Sequence, residues 1–174
     1  DVQSQFPEGE IGVFLAVGVA AHHMSPPAQG SPPAIEMMNQ YDLGVDGGFV
    51  GGKLSGPKRQ KNNVEFRSMV TLDLDDAELG FIDKFKRDFE YTCCLYSTHG
   101  HRPDAPRYRI IIPLSRDVEG DEYVAISRLI ADSLGIEQVD PVSFTTNQLM
   151  YWPSTPSDAV FIYEKIDKNL LNPD

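Results

Sequence analysis

The chain has 174 residues, 41% of them hydrophobic and 24% charged, with a net charge of −11. That length and mixture predict one compact, soluble globular domain. The acidic balance excludes a general nucleic-acid coat, because a phosphate backbone must be met by clustered cations.

The apolar run "IGVFLAVGVAA", Ile11 to Ala21, is too short to cross a bilayer and follows acidic rather than basic residues. It predicts a buried strand or helix and no membrane association. Cys93 and Cys94 are adjacent, and neighbours on a strand point to opposite faces. Neither a disulfide nor a zinc knuckle is therefore expected, and a reducing cytoplasm is the expected location. The charge is uneven. Residues 1 to 52 hold six acids and no Lys or Arg, whereas "KLSGPKRQKNNVEFR" carries Lys53, Lys58, Arg59, Lys61 and Arg67 against Glu65. A second basic cluster, Arg102, Arg107, Arg109 and Arg116, surrounds His99 and His101. These cations either line a positive groove on an acidic body or are solvated loop charges.

Residues 1 to 60 read as a loop-rich portion packed on the rest. "MSPPAQGSPPA" (24–34) and "DGGFVGGKLSGP" (46–57) are expected loops, and "IEMMNQYDLG" (35–44) is an expected short helix ended by Gly44. From Arg67 the periodicity sharpens. "RSMVTLDLD" alternates, with Val70, Leu72 and Leu74 on one face and Thr71, Asp73 and Asp75 on the other, which predicts a half-buried strand. "DAELGFIDKFKRDFE" places Leu79, Ile82, Phe85 and Phe89 at helical spacing. "YTCCLYSTH" and "RYRIIIPL" predict two strands around a Pro-containing turn. "GDEYVAISRLIADSLG" predicts a second amphipathic helix stopped by Gly135, and "QLMYWPS" and "AVFIYEKI" predict later strands.

The order β-α-β-β-α-β over residues 61–174 is the split βαβ, or ferredoxin-like, arrangement of an α+β domain. Its first and third strands lie side by side at the centre, and both helices cover one face. The other face is expected to be open and to carry Asp73 and Asp75, roughly 6–7 Å apart along the strand. The same alternation predicts Ser97 and His99 on one face of the next strand, and Arg107 and Arg109 on one face of the strand after it. Carboxylates that can hold Mg2+ or Mn2+, with arginines that clamp phosphate oxygens, suit phosphoryl chemistry. Each motif alone has a blander reading. Asp75 or Asp76 could cap the following helix, Arg-x-Arg could face solvent, and His-Gly-His could be a turn with one satisfied imidazole.

"VTLDLDDAE", "YSTHGHRPDAPRYRIIIPLSRDV" and "EYVAISRLIADSLGIEQVDPVSFTTNQLMYWPS" together resemble the primase-polymerase domain of the archaeo-eukaryotic primase superfamily. The likeness is to the version in phage and mobile-element replication proteins labelled virulence-associated E, and it covers about residues 47 to 156. The resemblance implies an RRM-like catalytic core with an added N-terminal αβ portion. It implies a DNA primase or polymerase that adds nucleotides on a template by two-metal phosphoryl transfer, in a bacterial host cell. Asp73, Asp75 and Asp140 would hold Mg2+ or Mn2+, while Ser97, His99, Arg107 and Arg109 would bind the incoming nucleotide. His101 would be a loop residue or an auxiliary nucleic-acid contact, and Lys58, Arg59 and Lys61 are further candidates for that contact. The implied partners are nucleoside triphosphates, a single-stranded DNA template or primer, and a helicase domain that follows in the full protein.

Two other functions use related sheets. A rolling-circle initiator or relaxase would use His99 and His101 as a metal pair and Tyr123 as nucleophile, although Gly100 replaces the hydrophobic residue usual between such histidines. A noncatalytic single-strand-binding module would present aromatic residues on the sheet.

Overall fold

The computed structural model describes residues 48–55, 58–151, 153, 155, 156 and 158–174. The elements expected around 11–21 and 35–44 lie outside the described residues. In chain order the elements are β1 (Gly48–Phe49), β2 (Gly52–Leu54), β3 (Val64–Leu74), α1 (Phe81–Asp88), β4 (Cys93–Ser97) and β5 (Tyr108–Val118). They continue with α2 (Gly120–Leu134), two 3-10 turns (Ile136–Gln138 and Pro141–Phe144), β6 (Met150–Tyr151) and β7 (Tyr163–Ile166). The architecture is α+β. A five-stranded sheet runs β2-β3-β5-β4-β7 with every neighbouring pair antiparallel, and β1 pairs with β6 in a separate ribbon.

β3 and β5 are central and adjacent, as the split βαβ pattern predicts. Their aliphatic faces, Val70, Leu72, Leu74, Ile110 and Ile112, are fully buried against Phe81 and Phe85 of α1 and Tyr123, Ile130 and Ala131 of α2. At roughly 25 cal/mol per Å² of apolar surface, this packing is the main source of the fold's stability. The pairing slips between Arg67 and Met69, whose partners on β5 jump from Val118 to Pro113. Pro113 has no N–H to donate to a ladder, and it stands where the bulge removes the need for one.

Three expectations are corrected. The sheet's second face is not open: Met69, Cys94, Tyr96 and Ile111 are covered by Phe49 of β1 and Met150 of β6. A further finding concerns the edges, where β2 flanks β3 and the C-terminal strand β7 pairs with β4. "GGFVGGKL" is not a loop but supplies β1 and β2. Glycine here serves close approach, since a Cβ on Gly52 would lie 2.0 Å from the Phe66 carbonyl oxygen. Finally, α1 begins at Phe81 behind Gly80 (φ 83°), so Leu79 precedes the helix and is 73% exposed, while Phe81 and Phe85 form its buried face. α2 ends at Gly135 (φ 96°), where the sequence places its stop.

Both thiols are free and buried on opposite faces, Cys93 toward the helices and Cys94 toward the ribbon. Burial pushes the Cys93 thiol up to about 12 and the Cys94 thiol higher still, which leaves both unreactive.

Candidate active site

The site is built at one end of the two central strands. Asp73 pairs directly with Arg109 across the β3–β5 ladder, and both are largely buried, with side-chain exposures of 11% and 13%. Arg109 donates from Nε and Nη2 to the same Asp73 oxygen, Oδ2, at 3.1 Å each. Asp73 Oδ1 is buried and has no hydrogen-bond donor among the described residues. One step further along, just beyond the ends of both strands, Arg107 donates to Asp75 at 3.2 Å. Asp75 and Asp76 are not helix caps, because the N-cap of α1 is Gly80.

Asp140 reaches the same place through the main chain. Val139 forms an antiparallel bridge with Leu74, and the Asp140 N–H donates to the Asp73 carbonyl at 2.8 Å. One residue then ties the two acids together. The Ser143 Oγ accepts the Asp73 N–H at 2.9 Å, and the Ser143 N–H donates to the Asp140 carbonyl at 2.9 Å. The Asp140 carboxylate caps its own 3-10 turn by accepting from Val142 N at 2.9 Å.

Burial pushes the Asp73 carboxyl above the usual range. The Arg109 guanidinium opposes that shift, and the nearby negative charges of Asp75 and Asp140 reinforce it. The three acids therefore share one electrostatic neighbourhood. As oriented here, no three His, Cys, Asp or Glu side chains among the described residues form a ready metal-binding group.

Behind the acids lies a polar network that the sequence did not single out. Arg67 is fully buried, and burial lowers its pKa. It donates to the carbonyls of Gly51 (2.9 Å) and Thr146 (2.7 Å) and to Thr71 Oγ1 (2.8 Å), and it stacks 4.0 Å from the Tyr123 ring centroid. The Tyr123 hydroxyl donates to the Ser143 carbonyl at 2.9 Å. From the sequence Arg67 counts as one cation of a positive groove or of a solvated loop; its place within an alternating strand is the signal that it turns inward.

The other candidate residues divide. Ser97 does not share the face of Asp73. It has the alternation of Cys93 and Leu95, pairs with Tyr108 on the helix side, and its Oγ accepts the Ile162 N–H at 2.9 Å. His99 lies in the turn after β4 and is exposed. Of the two roles expected for His101, the structure places it as a loop residue, 5% exposed rather than offered to a nucleic acid, whose Nδ1 accepts the Arg107 N–H at 3.2 Å beside the Tyr108 ring. The two histidines thus do not form a metal pair. Tyr123 is fully buried, which denies it the role of nucleophile toward DNA, and Tyr108 is buried against the helices rather than offered to a base. Lys58, Arg59 and Lys61 are exposed. Arg59 donates to the Asn147 carbonyl at 2.7 Å, which fastens this basic stretch to the loop between Asp140 and β6.

The fold is that of a primase-polymerase domain of the archaeo-eukaryotic primase (AEP) class. The AEP domain (PP-N190) of the cyanophage S-2L primase-polymerase, PrimPol, aligns with a TM-score of 0.58 over 97% of this chain and 95% of that one, at 11% identity. Residues 35–174 match the family model of the VapE N-terminal domain, and the chain belongs to that family. No curated protein matches the chain. Among the described residues no helix is long and apolar enough to cross a membrane.

Proposed function

We propose that this domain is a template-directed nucleotidyltransferase of primase-polymerase type, acting in replication of a phage or mobile element. Its family and its fold support a replication role. The observation that supports this chemistry is the pairing of Asp73 with Arg109 and of Asp75 with Arg107, with the Asp140 main chain bonded to that of Asp73.

The donor chemistry of these acids suits a divalent cation, although their present placement does not form a cation site. The donors are all hard oxygens suited to Mg2+ or Mn2+, and among the described residues nothing bonds the buried Asp73 Oδ1. Asp73, Asp75 and Asp140 would hold it once Arg107 and Arg109 turn toward substrate. Bound there, it would lower the pKa of the attacking hydroxyl and neutralise charge on the departing pyrophosphate.

The chain's own residues bind and orient. The guanidinium forks of Arg107 and Arg109 match phosphate oxygens in bidentate fashion, and exposed His99 stands within the same loop system as a further triphosphate contact. Ser97 would act only indirectly, by fixing the Ile162 backbone. A primer 3′-hydroxyl, or the hydroxyl of a first nucleotide, attacks the α-phosphate, and alignment and electrostatics supply most of the rate. Lys58, Arg59 and Lys61 would track the template phosphates, which offsets the acidic body locally. Residues 61–174 form the catalytic core in this reading, and a helicase domain would follow in the full protein.

The test is incubation of the protein with Mn2+ or Mg2+, a single-stranded template and labelled nucleotides, with and without primer. Incorporation that depends on the cation and is abolished in Asp73→Ala/Asp75→Ala and in Asp140→Ala, with circular dichroism unchanged, is the expected result. Undiminished incorporation by those variants rejects the site.

A further inference from the structure

We propose that the ring of Tyr151 is the platform on which the base of the incoming nucleoside triphosphate stacks; this rests on the nucleotidyltransferase reading and adds a residue to it. Among the described residues Tyr151 is the sole Phe or Tyr left exposed, at 46%, whereas its strand neighbour Met150 is fully buried. An exposed tyrosine by itself is ordinary. Its attachments set this one apart.

The Tyr151 main chain is held from three directions. Its register partner across the ribbon is Gly48, and its carbonyl accepts from the Tyr96 hydroxyl at 2.8 Å and from Arg109 Nη1 at 3.3 Å. Tyr96 is itself fully buried, so the anchor is rigid. Glycine as cross-strand partner supplies no side chain to cover the ring, where most strand pairs would place one. The ring is thus presented on a fixed backbone and left bare.

Its position orders the site. The Arg109 guanidinium lies 5.7 Å from the Tyr151 ring centroid and also holds Asp73. Acid, guanidinium and aromatic ring therefore follow one another without a gap. A nucleotide presents the same sequence of chemistries, with its cation-bound phosphates at one end and an aromatic base at the other. With the phosphates at Arg109, the base falls on the side of Tyr151, where every base offers a π face regardless of its identity. The arrangement gives affinity for nucleotides without choosing among them, as a template-directed enzyme requires.

Calorimetric titration with Mn2+ present tests this with three probes: dATP, inorganic tripolyphosphate and a single-stranded oligothymidylate. Tyr151→Leu is expected to weaken dATP binding on the order of 5- to 100-fold, the range for loss of one stacked base. Tripolyphosphate should bind Tyr151→Leu and the unaltered protein alike, and Tyr151→Phe should keep dATP affinity within about twofold, since the ring remains. Unchanged dATP affinity in Tyr151→Leu overturns the platform, as does an equal loss for dATP and tripolyphosphate. A loss confined to the oligonucleotide makes Tyr151 a template contact and overturns it too. Failure of the unaltered protein to bind either dATP or tripolyphosphate rejects the nucleotidyltransferase reading itself, and the platform with it.

Discussion

Arg109 grips Asp73 through a single carboxylate oxygen, and the other oxygen is buried with nothing to bond among the described residues. Such a pair is costly to break from one side. Removing the guanidinium leaves a desolvated carboxylate without its counter-charge. Arg109→Ala should therefore destabilise the domain by about 3 kcal/mol, the low end for a buried pair, as read by urea unfolding. The double variant Asp73→Asn/Arg109→Ala should recover part of that loss. A double variant no more stable than Arg109→Ala would show that the guanidinium acts through packing instead.

Ser143 touches both Asp73 and Asp140 through their backbones, so it positions acids without facing substrate. Ser143→Ala should lower Mn2+ affinity about 10- to 100-fold, the usual effect of an outer partner on a metal site. Its cost in stability should be only about 1 kcal/mol, that of one hydrogen bond. Electron paramagnetic resonance of free Mn2+ measures the first quantity, and thermal unfolding the second. A large stability loss with unaltered Mn2+ affinity would make the serine purely structural.

Tyr123 and Arg67 belong to the same network at greater depth. Tyr123→Phe removes the bond to the Ser143 carbonyl and should cost about 1 kcal/mol, with no covalent protein–DNA adduct formed by either protein. Arg67→Met strands the buried carbonyls of Gly51 and Thr146 and should cost about 3 kcal/mol or more. Denaturant titration and gel analysis of DNA incubations check both outcomes. An adduct that disappears with the Tyr123 hydroxyl would reinstate the relaxase chemistry.

His101 predicts a pH dependence. Burial lowers its pKa below the ordinary value, so the folded chain binds the proton less readily than the unfolded chain. Stability is then intact above the ordinary histidine pKa of about 6.5, falls as pH drops through it, and levels off below the folded value. His101→Asn keeps an acceptor for the Arg107 N–H and removes the titration. Its unfolding free energy should change less between pH 7.5 and 5.5 than that of the unaltered protein. Equal slopes for the two proteins would place the titration elsewhere.

Periodicity made the central strands legible. Val70, Leu72 and Leu74 alternate strictly with polar residues, and this brought Asp73 to the correct face. Arg107 and Arg109 followed from the same rule, and Gly135 marked the end of α2. What escaped was set by contacts no local pattern records. Ser97 was assigned a face by carrying the alternation through the turn to His99, yet the strand ends at Ser97, and Ser97 shares the side of Cys93 and Leu95. Leu79 fits a helical spacing but precedes a helix that only Gly80, in its left-handed conformation, begins. The covered second face was hidden because its lid comes from two-residue strands around Phe49 and Met150, too short to leave a period.

Asp140 is delivered to Asp73 by amide and carbonyl groups that every residue except proline supplies alike. Replacing the Asp140 side chain therefore removes a carboxylate without removing that bond, so the acid can be tested apart from the backbone that carries it.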